Sequence, residues 1–141
     1  AWLIIGIGLV GCVIGGRLSR DLGSAWVAAR ALAISGALCL VYPLLAAIGT
    51  PPLILLGLLF LWGLTVIADS PQFSALASAN APSHRVGASL AIMNAIGFGL
   101  SIPAIWLPSH FWAIQGPWVV VWLLPGPLLG LWAMRRFSPA E

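Results

Sequence analysis

Apolar residues fill this chain in long runs, and the polar residues gather in the short stretches between them. The runs cover residues 1–16, 24–47, 52–79, 86–107 and 116–134. A helix rises about 1.5 Å per residue and the bilayer's hydrocarbon core is about 30 Å thick, so about 20 residues cross it. Every run except the first reaches that length; the first makes only about 24 Å of helix. The pattern therefore predicts an all-α integral membrane protein with five transmembrane helices. The first run opens on Ala1 with no initiator Met, basic segment or cleavage site, so it is not a signal peptide. It reads as a helix cut through, which makes residues 1–141 the expected C-terminal part of a longer chain.

Composition agrees with the pattern. The chain is 61% hydrophobic and 6% charged, whereas soluble domains run near half apolar and about a quarter charged. Too few polar residues remain to clothe a core in water, and lipid is the expected solvent.

Charge then orients the spans. The stretch "GGRLSRDLGS", residues 15–24, carries Arg17, Arg20 and Asp21, and it is expected to form a tight loop between the first two spans. If the spans alternate, Arg17, Arg20, Arg85, Arg135 and Arg136 share one side. "AIGTPP" and "PSHFWAIQG" on the other side hold no Arg. The positive-inside rule places the Arg-bearing side, and with it the C-terminus, in the cytoplasm. The expected location is a bacterial-type inner membrane, crossed several times. Trp2, Trp106, Trp112 and Trp118 fall near the outer boundary and Trp26 and Trp132 near the inner one, as interfacial anchors do, while Trp62 and Trp122 lie deeper. The net charge of +3 is accounted for by topology and implies no nucleic-acid partner.

Small residues and prolines shape the expected packing. Gly11 and Gly15 form a GxxxG pair in the first run, and Gly87, Ala91, Ala95 and Gly99 line one face of the fourth. Pro52 and Pro117 suit first helical turns. Pro71, Pro125 and Pro127 lie inside runs and are expected to kink them, with Pro125-Gly126-Pro127 weakening the last helix. Cys12 and Cys39 fall at different depths and are expected to be free thiols, out of disulfide reach.

Few residues offer chemistry. Asp69 is the only acid inside an apolar run, and an ionisable group at membrane depth is costly to keep. It is a candidate proton acceptor or gate partner for Arg20 or Arg85, against the simpler reading of a carboxylate hydrated at the interface. Arg30, about 9 Å into the second span, either snorkels to the headgroups or binds an anionic substrate. Asn94 either bonds to another helix or lines a cavity. Thr65, Gln72 and Ser101 carry no such suggestion. Ser35 has no histidine at matching depth, since His84 and His110 fall in loops on opposite sides. HExxH, CxxC and a Gly-rich phosphate loop are absent, so no catalytic residue, metal site or cofactor is expected.

The junction "ADSPQFSALASANAPSHRVGASLAIMNAIGFG" resembles the major facilitator superfamily of secondary transporters, at the link between its tenth and eleventh helices. The residues that carry the likeness are Pro71, Ala75, Pro82, Arg85, Gly87, Ala88, Asn94 and Gly97. The opening patch is similar to that family's G-x-x-x-D-R-x-G cytoplasmic loop, through Gly16, Arg20, Asp21 and Gly23, with acid and base in exchanged order. The resemblance implies helices eight to twelve of a twelve-helix bundle, completed by a missing N-terminal half. It also implies a transporter that moves a small solute by alternating access, coupled to a proton or another ion gradient, with Asp21 near the cytoplasmic gate. The competing expectation is a structural or assembly subunit of a membrane complex, which needs only helices that pack.

Overall fold

A computed structural model describes residues 2–135; Ala1 and the tail residue Arg136 lie outside it, as does the Trp2 side chain. The elements are α1 (Trp2–Leu22), α2 (Ser24–Ala47), α3 (Pro52–Asn80), α4 (Val86–Gln115) and α5 (Pro125–Met134). Two 3₁₀ segments, Ser83–Arg85 and Gly116–Leu123, join the later helices. There is no strand among the described residues. Three stretches are long and apolar enough to cross a membrane: Ser24–Ala47, Pro52–Asn80 and Ser83–Met134.

The last of these folds back on itself at Gly116, whose φ of 55° no β-carbon tolerates well. Beyond the turn, Trp122 Nε1 donates to Gln115 Oε1 at 3.1 Å, and the Trp122 ring stacks on Phe111 at 5.5 Å. His110 bridges the same cluster, stacked on Trp106 and edge-on to Phe111.

α2 is the hub of the bundle, packing against α1, α3, α5 and the 3₁₀ segment Gly116–Leu123. Most of the buried side chains among the described residues belong to it, Val27, Ala28, Ala31, Leu32, Leu38 and Cys39 among them. Its one polar core residue, Ser35, accepts a 3.0 Å hydrogen bond from Trp62 Nε1 of α3. α4 lies at the other extreme. None of its residues is buried, and Phe98 and Ile114 are 74% and 79% exposed.

Close approaches fix the register. A β-carbon on Gly11 would lie 2.5 Å from the carbonyl oxygen of Leu64, and one on Gly15 would lie 3.3 Å from that of Ala68, so α1 and α3 run parallel. Cys12 Sγ donates to the Ile67 carbonyl at 3.3 Å along the same seam. On the other side of the hub, Gly36 meets Pro127, Leu32 meets Gly130, and Ala28 shares a cluster with Met134, so α2 and α5 run antiparallel. This register brings Arg17 and Arg20, at the end of α1, to the same end of the bundle as Arg135. Arg85 follows the C-terminus of α3 at that end.

Three expectations need correction. The patch at residues 15–24 is not a loop: α1 continues to Leu22, and only Gly23, with φ 84°, breaks the path into α2. No proline or glycine interrupts residues 17–22, and Arg20 in the last turn complements the negative end of the helix dipole, partly offset by Asp21 beside it. The fourth run does not stop at residue 107. α4 passes Pro103 and Pro108 and ends at Gln115, because each proline removes one backbone bond while a loop would leave many groups unpaired.

The last run is not one α-helix with a kink. In an α-helix the carbonyls of Val121 and Leu123 would look to the nitrogens of Pro125 and Pro127, which carry no hydrogen. The chain takes 3₁₀ form over Gly116–Leu123 instead, and Leu124 N–H donates to the Val121 carbonyl at 3.0 Å. The Cys12 and Cys39 thiols are free, the second buried and the first half-buried.

Gly11→Ala is expected to destabilise the chain by about 1–3 kcal/mol through overpacking against Leu64. Gly99→Ala, with open space around its α-carbon, is expected to cost nothing. Unfolding of the two variants in mild detergent, followed by circular dichroism, checks the contrast.

Candidate functional site

Four polar side chains that are not used in packing lie between α3 and α4. A cleft of about 390 Å³ opens there, lined by Ser70, Phe73 and Ser74 from α3 and by Met93, Asn94, Gly97, Phe98 and Ser101 from α4. Spacing of three and four residues puts each set on one helix face. The cleft persists because α3 and α4 touch little beyond the turn that joins them.

The serine hydroxyls donate to their own helix backbones. Ser74 Oγ bonds the Ser70 carbonyl at 3.3 Å and Ser101 Oγ the Gly97 carbonyl at 2.9 Å. Their oxygen lone pairs remain as acceptors toward the cleft, and the exposed Asn94 amide adds both a donor and an acceptor. Among the described residues, no charged side chain lines it. The arrangement offers neutral hydrogen bonding beside the two Phe rings. Among the described residues, no three His, Cys, Asp or Glu side chains gather to hold a metal ion.

The structure separates the residues singled out in the sequence. Asn94 lines the cleft. Asp69 precedes the cleft residue Ser70 but shares its helix face with Trp62 and Leu76, which pack toward α2, and it is half-buried there. Arg30 lies across the bundle, its guanidinium 4.9 Å from the centre of the Trp26 ring, beside a separate groove between α1, α2 and α3.

The junction motif forms the α3–α4 turn. Pro71 lies within α3, Pro82 caps the 3₁₀ turn, and Arg85 N–H donates to the Pro82 carbonyl at 2.8 Å. Arg85 Nε also donates to His84 Nε2 at 3.1 Å, and Gly87 opens α4 with nothing near its α-carbon. Of the loop motif, Gly16, Arg20 and Asp21 are helical in α1, and Gly23 alone makes the turn.

Reading the sequence missed Ser70, Ser74, Phe73 and Phe98. The four-residue spacing of Ser70, Ser74 and Ser78 in an apolar run was the available signal. It also passed over Ser101, which lines the cleft, and Gln72, which is 2% exposed, with its amide nitrogen 3.7 Å from the β-carbon position of Gly15. No protein-family model, curated protein or solved structure matches the chain.

A hydrated cleft has a direct readout. In a background lacking Cys12 and Cys39, Asn94→Cys is expected to react with a charged, membrane-impermeant thiol reagent at least about tenfold faster than Ile96→Cys, since thiolates form only where water reaches. Equal rates at both positions would show that the cleft is no wetter than the open face of α4.

Proposed function

We propose that the chain is an integral membrane protein and forms part of a secondary transporter of the major facilitator type. In this reading it supplies five helices of a twelve-helix bundle in an inner membrane. It helps move a small solute by alternating access, with a proton or another ion supplying the gradient. The observation that carries the reading is the cleft between α3 and α4, where Ser70, Ser74, Asn94 and Ser101 stand beside apolar side chains. Binding sites of such transporters lie between helices, where polar groups shielded from lipid meet water.

Other observations support it. Arg17, Arg20, Arg85 and Arg135 gather at one end of the bundle, the asymmetry expected of a cytoplasmic face. The C-terminus is then cytoplasmic. The cleft lies between the two helices joined by the junction that resembles this family, and Asn94 belongs both to that motif and to the cleft. In the proposal Asn94 binds solute. Asp69, on the face toward α2, takes the proton or partners an Arg as one state gives way to the other.

A second reading, a packing subunit of a membrane complex, draws on α4. Its row of Gly87, Ala91, Ala95 and Gly99 is exposed, with open space at both glycines. A face of that kind suits another helix whether or not anything is transported.

Carbonate washing of membranes is expected to leave the chain in the pellet. For the complete reading frame reconstituted in vesicles, a gradient-driven uptake panel of a sugar, an amino acid, an organic anion and a lipophilic cation is expected to show one accumulating. Asn94→Ala should slow that uptake about tenfold, the equivalent of one lost hydrogen bond. Asp69→Asn should uncouple uptake from the gradient. Absence of flux for every class, together with recovery in a stable complex with other chains, would favour the packing subunit.

A further inference from the structure

The groove between α1 and α2, floored by α3, combines an apolar channel with one cation. It measures about 230 Å³, and Ile14, Leu18, Ile34 and Leu61 contribute to its walls. Gly11 and Gly15 draw α1 down onto α3 and leave the channel open beside them. Among the described residues, Arg30 is the only charged side chain lining it, and no acid does so. The guanidinium lies over Trp26, one helical turn nearer the Arg-bearing end of the bundle. That contact orients the planar group but uses none of its N–H donors in the ring plane.

We infer that this groove binds an anionic phospholipid, with an acyl chain along the apolar channel and the phosphate on Arg30. A guanidinium at membrane depth needs an acceptor for its N–H groups, and lipid phosphate is the acceptor the bilayer supplies. Trp26 suits the headgroup level, where its ring rests against the lipid. Basic pockets between helices on the cytoplasmic side recognise anionic headgroups by this combination. The inference rests on the membrane placement proposed above and is independent of transport.

Native mass spectrometry of the chain, extracted from membranes in mild detergent, tests it with phosphatidylglycerol and phosphatidylcholine of matched acyl chains. Phosphatidylglycerol is expected to be retained about tenfold over phosphatidylcholine, because the choline cation beside the latter's phosphate opposes the guanidinium and leaves that headgroup with no net charge. Arg30→Gln should abolish the preference and Arg30→Lys should keep part of it. Arg135→Gln, which removes a charge at the same end but off the groove, should leave it intact. Glycerol phosphate, which lacks acyl chains, should not displace the lipid.

Equal retention of the two lipids by the unaltered chain overturns the inference without any variant. So does loss of the preference in Arg135→Gln, which would mark diffuse charge attraction, or displacement by glycerol phosphate, which would mark a bare ion site. Release of the chain by carbonate would instead remove the membrane placement itself, so the two failures are distinguishable.

Discussion

Backbones in this bundle meet where a side chain is missing, and that close approach sets the positions of everything else. Gly11 and Gly15 bring α1 onto α3, and Gly36 and Gly130 bring α5 onto α2. In the membrane placement proposed above there is little hydrophobic driving force between helices, because lipid tails are as apolar as leucine. Packing contacts must then hold the bundle, and they grow with the closeness the small residues permit. α2 sits between both seams, which is why most of the buried side chains fall on it.

Backbone hydrogen bonding imposes the second constraint. A chain with few polar side chains has few substitutes for a lost helical bond, so it keeps helix wherever it can. α1 runs on through its charged turns until Gly23, and α4 accepts two internal prolines. Where two prolines fall close together, at residues 125 and 127, the pairing pattern itself shifts to 3₁₀ form. The sharp reversal at Gly116 and the aromatic cluster of Trp106, His110, Phe111 and Trp122 then fold the last segment back on α4.

Two of the places where polar side chains are left over differ in chemistry. Between α3 and α4 they are neutral and open, which suits a solute that enters and leaves. Beside α2 a single guanidinium stands over an indole at the mouth of an oily groove, which suits an amphiphile that stays. α4 itself packs mainly against the Gly116–Leu123 segment and less against α3, which leaves the cleft between α3 and α4 open.

The sequence by itself determined the helical class, the limits of α2, and the start of α3 at Pro52. Run length, hydropathy and proline position are local properties that neighbouring helices do not alter. It also marked Gly11 and Gly15 as a contact and Asn94 as a candidate lining residue. Tertiary structure alone decided that Asp69, Asn94 and Arg30 face three different surroundings. Each lies on a helix whose apolar residues encircle it almost evenly, so no amphipathic stripe in the sequence says which face turns inward. Only the register of one helix against another, fixed by glycine contacts far apart in the chain, settles that.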